Sequence, residues 1–123
     1  MLKQMFLAGL GGGIGSIFRF LVSLTADKYT TCYPWPTFAA NISGCFLIGL
    51  FIAFSGKYEW LNADLRLLLI TGFCGGYTTF STFASENLRL FESGNYATAV
   101  AYIAASTIVG LLAVYAGNAL VGK

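Results

Sequence analysis

The sequence predicts an all-α membrane protein, built as a single four-helix domain over residues 1–123. Hydrophobic residues make up 57% of the chain and charged residues only 10%, against about 25% charged residues in a soluble domain. Four stretches reach the roughly 20 mostly apolar residues that a helix needs to cross a bilayer. The loops near residues 25–35, 56–66 and 92–96 are short, which leaves no length for a soluble domain.

The first span is predicted over residues 4–24 and carries Arg19 close to its end. Lys3 followed by apolar residues is also typical of a secretory signal peptide. The glycine-dense residues 9–15 make a poor signal core, and no A-x-A-like cleavage site follows, so an uncleaved helix is favoured. Arg19 has two interpretations: an anion-attracting or structural group at membrane depth, or a side chain that extends to the interface.

The second span, residues 36–55, contains the polar residue Asn41 one turn after Thr37. An amide there can hold neighbouring helices together, or its NH2 group can donate to a passing anion. The fourth span, residues 96–119, places Tyr102 and Ser106 four residues apart and therefore on one face. Both spans thus offer polar groups at membrane depth.

The third span, residues 66–90, is the least regular of the four. Gly75 and Gly76 weaken it, because glycine in a helix costs about 1 kcal/mol relative to alanine. Broken backbone survives in a bilayer only where protein buries it or a wet cavity lines it, so a helix broken near its middle at a polar site is predicted. The hydroxyl residues that can satisfy the freed backbone groups are Thr78, Thr79, Ser81 and Thr82.

Phe80 and Phe83 lie three residues apart and share a face of the third span. They either pack against neighbouring side chains or present their positive ring edges to an anion. Glu86, one turn further on, is the only carboxylate at membrane depth. It either pairs with Arg89 at the i+3 position or lines a vestibule.

Small residues recur at intervals of four along three of the spans. Such faces let helix backbones approach closely. A bundle of four helices also makes a thin wall for a transport site, so an oligomer is expected. The spaced residues are Ala8, Gly12 and Ser16, then Gly11 and Gly15, then Ala40 and Gly44, and finally Ala97, Ala101 and Ala105.

The basic residues are almost evenly divided between the two sides of the membrane. An imbalance of lysine and arginine normally sets the orientation of a membrane protein. Here either some copies insert each way, or one unrecognised anchor decides. The terminal side carries Lys3, Lys57, Arg66 and Lys123, and the other side carries Lys28, Arg89 and Arg19.

The composition argues against several other classes of protein. Cys32, Cys45 and Cys74 form no C-x-x-C pair and the chain has no histidine, so a zinc or redox site has little support. The same lack of histidine removes the usual base of hydrolytic enzymes, and no phosphate-binding loop motif occurs. A net charge of +2 is too small and scattered for nucleic acid binding. We therefore expect neither an enzyme nor a nucleic acid partner.

The chain resembles the Fluc or CrcB family of small bacterial fluoride channels over essentially its whole length. The longest matching string is GFCGGYTTFSTF at residues 72–83. Shorter matches are GSIFRF at residues 15–20, TFAAN at 37–41 and YIAAS at 102–106. Tyr77 stands where phenylalanine or leucine is more frequent, and Phe20 where tyrosine is common, but neither departure touches the core of the motif.

The resemblance implies a multi-pass protein of the bacterial plasma (inner) membrane that releases fluoride passively from the cytoplasm. It implies an antiparallel, dual-topology homodimer with two pores, surrounded by lipid. A structural sodium ion is expected at the dimer interface on the backbone carbonyls of Gly75 and Thr78, and Arg19 and Glu86 are expected in vestibular or structural roles. The expected pore residues are Phe80, Phe83, Asn41, Tyr102, Ser106, Ser81 and Thr37.

Two alternatives from other functional classes remain. Small multidrug-resistance exporters also have four helices and form antiparallel dimers, but they use a membrane-embedded glutamate in helix one. This chain has no acidic residue there. A structural membrane assembly protein, in turn, predicts no ion flux.

Overall fold

The computed structural model describes residues 1–26 and 33–121, and its architecture is all-helical. Four parts of this region are long and apolar enough to cross a membrane, which confirms the predicted four spans. Lys28, Cys32 and Lys123, which entered the sequence-based predictions, lie outside the described residues. The helices are α1 (Leu2–Ala26), α2 (Trp35–Lys57), α3 (Ala63–Arg66), a π-helical segment (Leu67–Cys74), α4 (Gly75–Tyr77), α5 (Phe80–Glu92) and α6 (Tyr96–Val121).

The third span is interrupted, as predicted, but at a different place from the glycine pair. Gly75 is helical, with φ −63° and ψ −37°. The extended residues are Thr78, with φ −86° and ψ 157°, and Thr79, with φ −151° and ψ 117°. Threonine is β-branched and fits extended backbone well, and the Thr79 hydroxyl starts α5 by accepting the Thr82 N–H at 3.2 Å. The break therefore lies at the two threonines and not at the glycine pair that was expected to weaken the helix.

Glycines instead allow α1 to touch the backbone of the third span. A Cβ on Gly72 would lie 2.9 Å from Gly11 Cα, and one on Gly76 would lie 2.8 Å from Gly12 Cα. A Cβ on Gly15 would lie 2.8 Å from the Tyr77 N. The backbones of the two elements are thus in contact, as the small-residue spacing in α1 indicated.

Helices α2 and α6 pack together through glycines that the four-residue spacing missed. A Cβ on Gly49 would lie 3.0 Å from the Asn118 N, and one on Gly117 would lie 3.0 Å from the Leu50 N. The alanine series of α6 does not contribute to this packing within the protomer. Ala97 and Ala101 are exposed on the surface of the protomer, while Ala99 is fully buried.

Both described ends of the chain meet the loop between the second and third spans. The Lys3 ammonium forms a 2.7 Å ion pair with Asp64 at the start of α3. The Lys57 ammonium donates to the Val121 carbonyl at the end of α6, 3.4 Å away. The start of α1 and the end of α6 therefore lie at the same end of the bundle.

Candidate functional site

The Asn41 side chain on α2 forms two hydrogen bonds with the backbone of Thr79, where the third span is interrupted. The Thr79 N–H donates to Asn41 Oδ1 at 2.7 Å, and Asn41 Nδ2 donates to the Thr79 carbonyl at 3.1 Å. The amide accepts the N–H that the interruption removes from helical hydrogen bonding, and it adds a donor to the carbonyl of the residue that caps α5. Of the two N–H groups on Asn41 Nδ2, this arrangement uses one. Asn41 therefore links α2 to the third span, as one of its two interpretations predicted. The other N–H group on Nδ2 remains for another partner.

A cleft of about 330 Å³, here called the phenylalanine cleft, opens beside this contact. It brings together four residues that were predicted from α2, α5 and α6 to line a pore. The Phe80 and Phe83 ring centroids are 5.7 Å apart and their planes are tilted by 42°. The side chains lining the cleft are Asn41, Ile42, Gly44, Cys45, Ile48, Thr78, Thr79, Phe80, Phe83, Ser106 and Thr107.

Phe80 and Ser106 differ sharply in exposure within this cleft. Phe80 leaves 78% of its surface exposed. Ser106 Oγ is buried and has no hydrogen-bond partner among the described residues. A buried hydroxyl without a partner costs about 1–3 kcal/mol, so the cleft holds an unused polar group as well as exposed aromatic surface.

Glu86 accepts hydrogen bonds from two other helices and forms what we call the carboxylate cluster. The Thr37 hydroxyl donates to Glu86 Oε2 at 3.0 Å, and the Tyr102 hydroxyl donates to Glu86 Oε1 at 3.0 Å. The alternative in which Glu86 pairs with Arg89 is wrong, since the ion pair between described residues is Lys3 with Asp64. The two hydroxyl groups satisfy the Glu86 carboxylate between the helices. An ion pair with Arg89 on the helix surface would not provide these donors.

The carboxylate cluster is joined to the phenylalanine cleft through aromatic contact. The Tyr102 side chain is fully buried, and its ring meets Phe83 edge-on with centroids 4.9 Å apart and planes at 60°. The Tyr102 ring therefore packs against Phe83, which lines the cleft, while the Tyr102 hydroxyl donates to Glu86. Thr37 likewise lies away from the phenylalanine cleft and lines a second one.

This second cleft, of about 320 Å³ and here called the arginine cleft, lies on the other side of the interruption. Arg19 Nε donates to the Gly76 carbonyl at 3.1 Å, and Ser16 Oγ donates to the same oxygen at 3.5 Å. Arg19 thus binds the backbone of the third span, which agrees with its structural interpretation. The lining residues are Ser16, Arg19, Phe20, Ser23, Pro36, Thr37, Thr79 and Thr82.

Several site residues differ from the sequence-based set. Ser81 is exposed, and its hydroxyl lies 3.4 Å from Thr79 Oγ1 without lining either cleft. Thr79 lines both clefts but was predicted only to satisfy freed backbone groups and not to line a pore, although its place beside Thr78 in a β-branched pair was a usable signal. Cys45 was also missed. It lies one turn after Asn41, and that spacing already placed both on one face of α2.

The sequence that builds these clefts is similar to those of known proteins. Residues 6–118 match the family model described as CrcB-like protein, Camphor Resistance (CrcB). A protein of Azobacteroides pseudotrichonymphae named fluoride-specific ion channel FluC is 47% identical over 121 residues, covering 98% of this chain and 97% of the relative. Proteins of the same name from Flavobacterium psychrophilum (45% identity; 94% of each chain) and Rhizobium etli (44%; 95% of this chain and 94% of the relative) are similar. The chain belongs to the CrcB family.

Proposed function

We propose that this protein is a passive, fluoride-selective ion channel and not an enzyme. The observation that carries the proposal is the phenylalanine cleft, which is lined by two phenylalanines, a neutral amide and a serine whose buried hydroxyl has no partner among the described residues. The relatives named fluoride-specific ion channels support it, because they align with 94–98% of this chain. The plasma (inner) membrane of a bacterium is its proposed location.

The chemistry of the cleft suits a small and strongly hydrated anion. A purely apolar constriction would reject fluoride, because nothing would replace its water. A cationic side chain in the constriction would hold it too tightly for conduction. Ring edges of Phe80 and Phe83, the second N–H of Asn41 and the Ser106 hydroxyl lie between these limits. Each of these groups stabilises negative charge without carrying a full positive charge.

The other two polar features have supporting roles in this proposal. Arg19 lines the arginine cleft, and its positive charge raises the local concentration of anions at the mouth of the proposed pathway. The carboxylate cluster holds Tyr102 in place behind Phe83. Thr37, which lines the arginine cleft and donates to Glu86, connects the two features.

The functional form that we propose is an antiparallel homodimer with two pores. Thr71, Gly75, Ser81 and Ser85 are exposed on the third span, as is most of Phe80. Lipid is a poor neighbour for hydroxyl groups, and a second copy covers them better. The near-even division of basic residues between the two ends supports insertion in both orientations.

A sodium ion at the centre of this dimer is part of the proposal, held by the Gly75 and Thr78 carbonyls. Unwound carbonyls are common sodium ligands in membrane proteins, and the extended backbone at Thr78 provides such a carbonyl. Gly75 is exposed, and a Cβ there would meet nothing within 4 Å in the protomer. The surface around it is therefore open to a second copy. The ion would supply fixed positive charge between the two protomers.

Fluoride efflux from liposomes tests the function directly. Purified protein is reconstituted into vesicles loaded with potassium fluoride or potassium chloride, and valinomycin balances the charge. We expect rapid fluoride efflux without a proton gradient and little chloride efflux. Drug uptake that requires a proton gradient would favour the multidrug exporter, and absence of any flux would favour a structural assembly protein.

A further inference from the structure

Two side chains at the interruption take hydrogen-bond donors away from particular carbonyls. In a continuous helix the Thr79 N–H would bond to the Gly75 carbonyl and the Thr82 N–H to the Thr78 carbonyl. Here the Thr79 N–H donates to Asn41 Oδ1 at 2.7 Å, and the Thr82 N–H donates to Thr79 Oγ1 at 3.2 Å. These two side chains thus hold the i+4 donors of the two carbonyls proposed for sodium, whereas the Gly76 carbonyl, at the same interruption, accepts from Arg19 and Ser16.

We propose that Asn41 and Thr79 are positioning residues for the cation site, because they keep the Gly75 and Thr78 carbonyls free of helical hydrogen bonds. This inference rests on the sodium site of the proposed function. An α-helical carbonyl points along the helix axis to its donor and has little capacity left for a cation. Residues behind metal ligands commonly change metal affinity about 10- to 100-fold when they are replaced.

The position of Asn41 makes it a link between the cation site and the phenylalanine cleft. Its Oδ1 holds the Thr79 N–H, one of its N–H groups holds the Thr79 carbonyl, and its side chain also lines the cleft. The remaining N–H is the one available to an anion. One amide therefore frees a carbonyl for a cation and presents a donor to the pore.

The contact between Ser43 and Tyr77 lies near the interruption, but the proposed cation site should not depend on it. Ser43 lies on α2 beside Asn41 and also reaches the third span, through its hydroxyl 2.8 Å from the Tyr77 hydroxyl. That contact joins two side chains and leaves the backbone hydrogen bonds of the interruption unchanged. Ser43→Ala is therefore a matched control for loss of a polar contact between α2 and the third span.

The test measures sodium affinity in detergent without measuring flux. The melting temperature of the purified protein is followed as sodium replaces N-methylglucamine at constant ionic strength, since a bound ligand raises it. We expect Thr79→Val, which keeps the shape but loses the acceptor, to raise the half-saturating sodium concentration about 10- to 100-fold. Thr79→Ser, which keeps the hydroxyl acceptor, and Ser43→Ala should leave it unchanged. Asn41→Leu should behave like Thr79→Val.

The outcomes separate this inference from the proposed function. If the unmodified protein responds to sodium and Thr79→Val has the same half-saturating concentration as Thr79→Ser, the positioning role is overturned. If the unmodified protein shows no sodium response, both the cation site and this inference are overturned, while fluoride efflux from liposomes still stands or falls separately. The Thr79 pair decides the question even if Asn41→Leu does not fold.

Discussion

Replacing each phenylalanine of the cleft with isoleucine tests whether ring edges act on the anion. Phe80→Ile and Phe83→Ile keep an apolar side chain but remove the aromatic quadrupole. A cation over the negative face of an aromatic ring gains about 0.5–2 kcal/mol, and we take the same range for an anion at the positive ring edge. Each variant should therefore lower fluoride flux about 2- to 30-fold. Methionine at either position should restore part of the flux, because its thioether is polarisable.

The structure predicts different stability effects for these two variants. Phe80 has 78% of its surface exposed in the protomer, so Phe80→Ile should change the stability of packing within one protomer by at most about 0.5 kcal/mol, and a larger loss would come from contact with the second copy. Phe83 contacts the Tyr102 ring edge-on, so Phe83→Ile should lose about 0.5–1.5 kcal/mol in addition to any flux effect.

Flux per folded dimer and thermal stability must be measured on the same preparations. Liposome efflux gives the first and melting in detergent gives the second. A loss of flux in Phe80→Ile with unchanged stability supports a direct role for the ring. Normal flux through both variants would refute the reasoning and leave the phenylalanines as packing residues only.

Three further predictions follow from other parts of the molecule. Tyr102→Phe keeps the ring but leaves Glu86 short of one donor, so it should lower the free energy of unfolding by about 1.5–3 kcal/mol; an unchanged melting curve would contradict this. Gly15→Ala should destabilise by about 1–3 kcal/mol because it forces α1 from the third span, while Gly13→Ala meets nothing within 4 Å and should not; equal melting temperatures would contradict the packing. Two or three lysines added within residues 58–62 should force one orientation and abolish flux, and full activity with a single orientation in reporter fusions would exclude the antiparallel dimer.

The hydrogen-bond partners of Glu86 and Asn41 could not be identified from the sequence. From the sequence, Glu86 had one local partner to consider, Arg89 at i+3. Its actual partners, Thr37 and Tyr102, are 49 and 16 residues away in the chain. Asn41 could be recognised as a polar group that needs a partner, but its partner Thr79 is 38 residues away. Spacing along one helix cannot identify a partner on another.

The sequence by itself determined the number of spans and the presence of an interruption. Hydrophobic length decides the first, because a bilayer requires about 20 apolar residues for each helix. A run of glycines and hydroxyl residues in the third span indicated the interruption. Backbone can be non-helical in a membrane only where its N–H and C=O groups find other hydrogen-bond partners, and hydroxyl groups can be such partners. These properties depend on local composition and on the solvent.

The tertiary structure alone decided where the helix stops and what the glycines do. Gly76 stays helical, and its missing side chain lets α1 lie against it, with Gly12 Cα only 2.8 Å from the place of a Cβ. The chain becomes extended at Thr79, where Asn41 Oδ1 on α2 accepts the N–H that a continuous helix would bond to Gly75, and Asn41 Nδ2 donates to the Thr79 carbonyl at the start of α5. Each result depends on a neighbouring helix that supplies either backbone contact or a competing hydrogen bond. That competition is settled only when the helices are packed together.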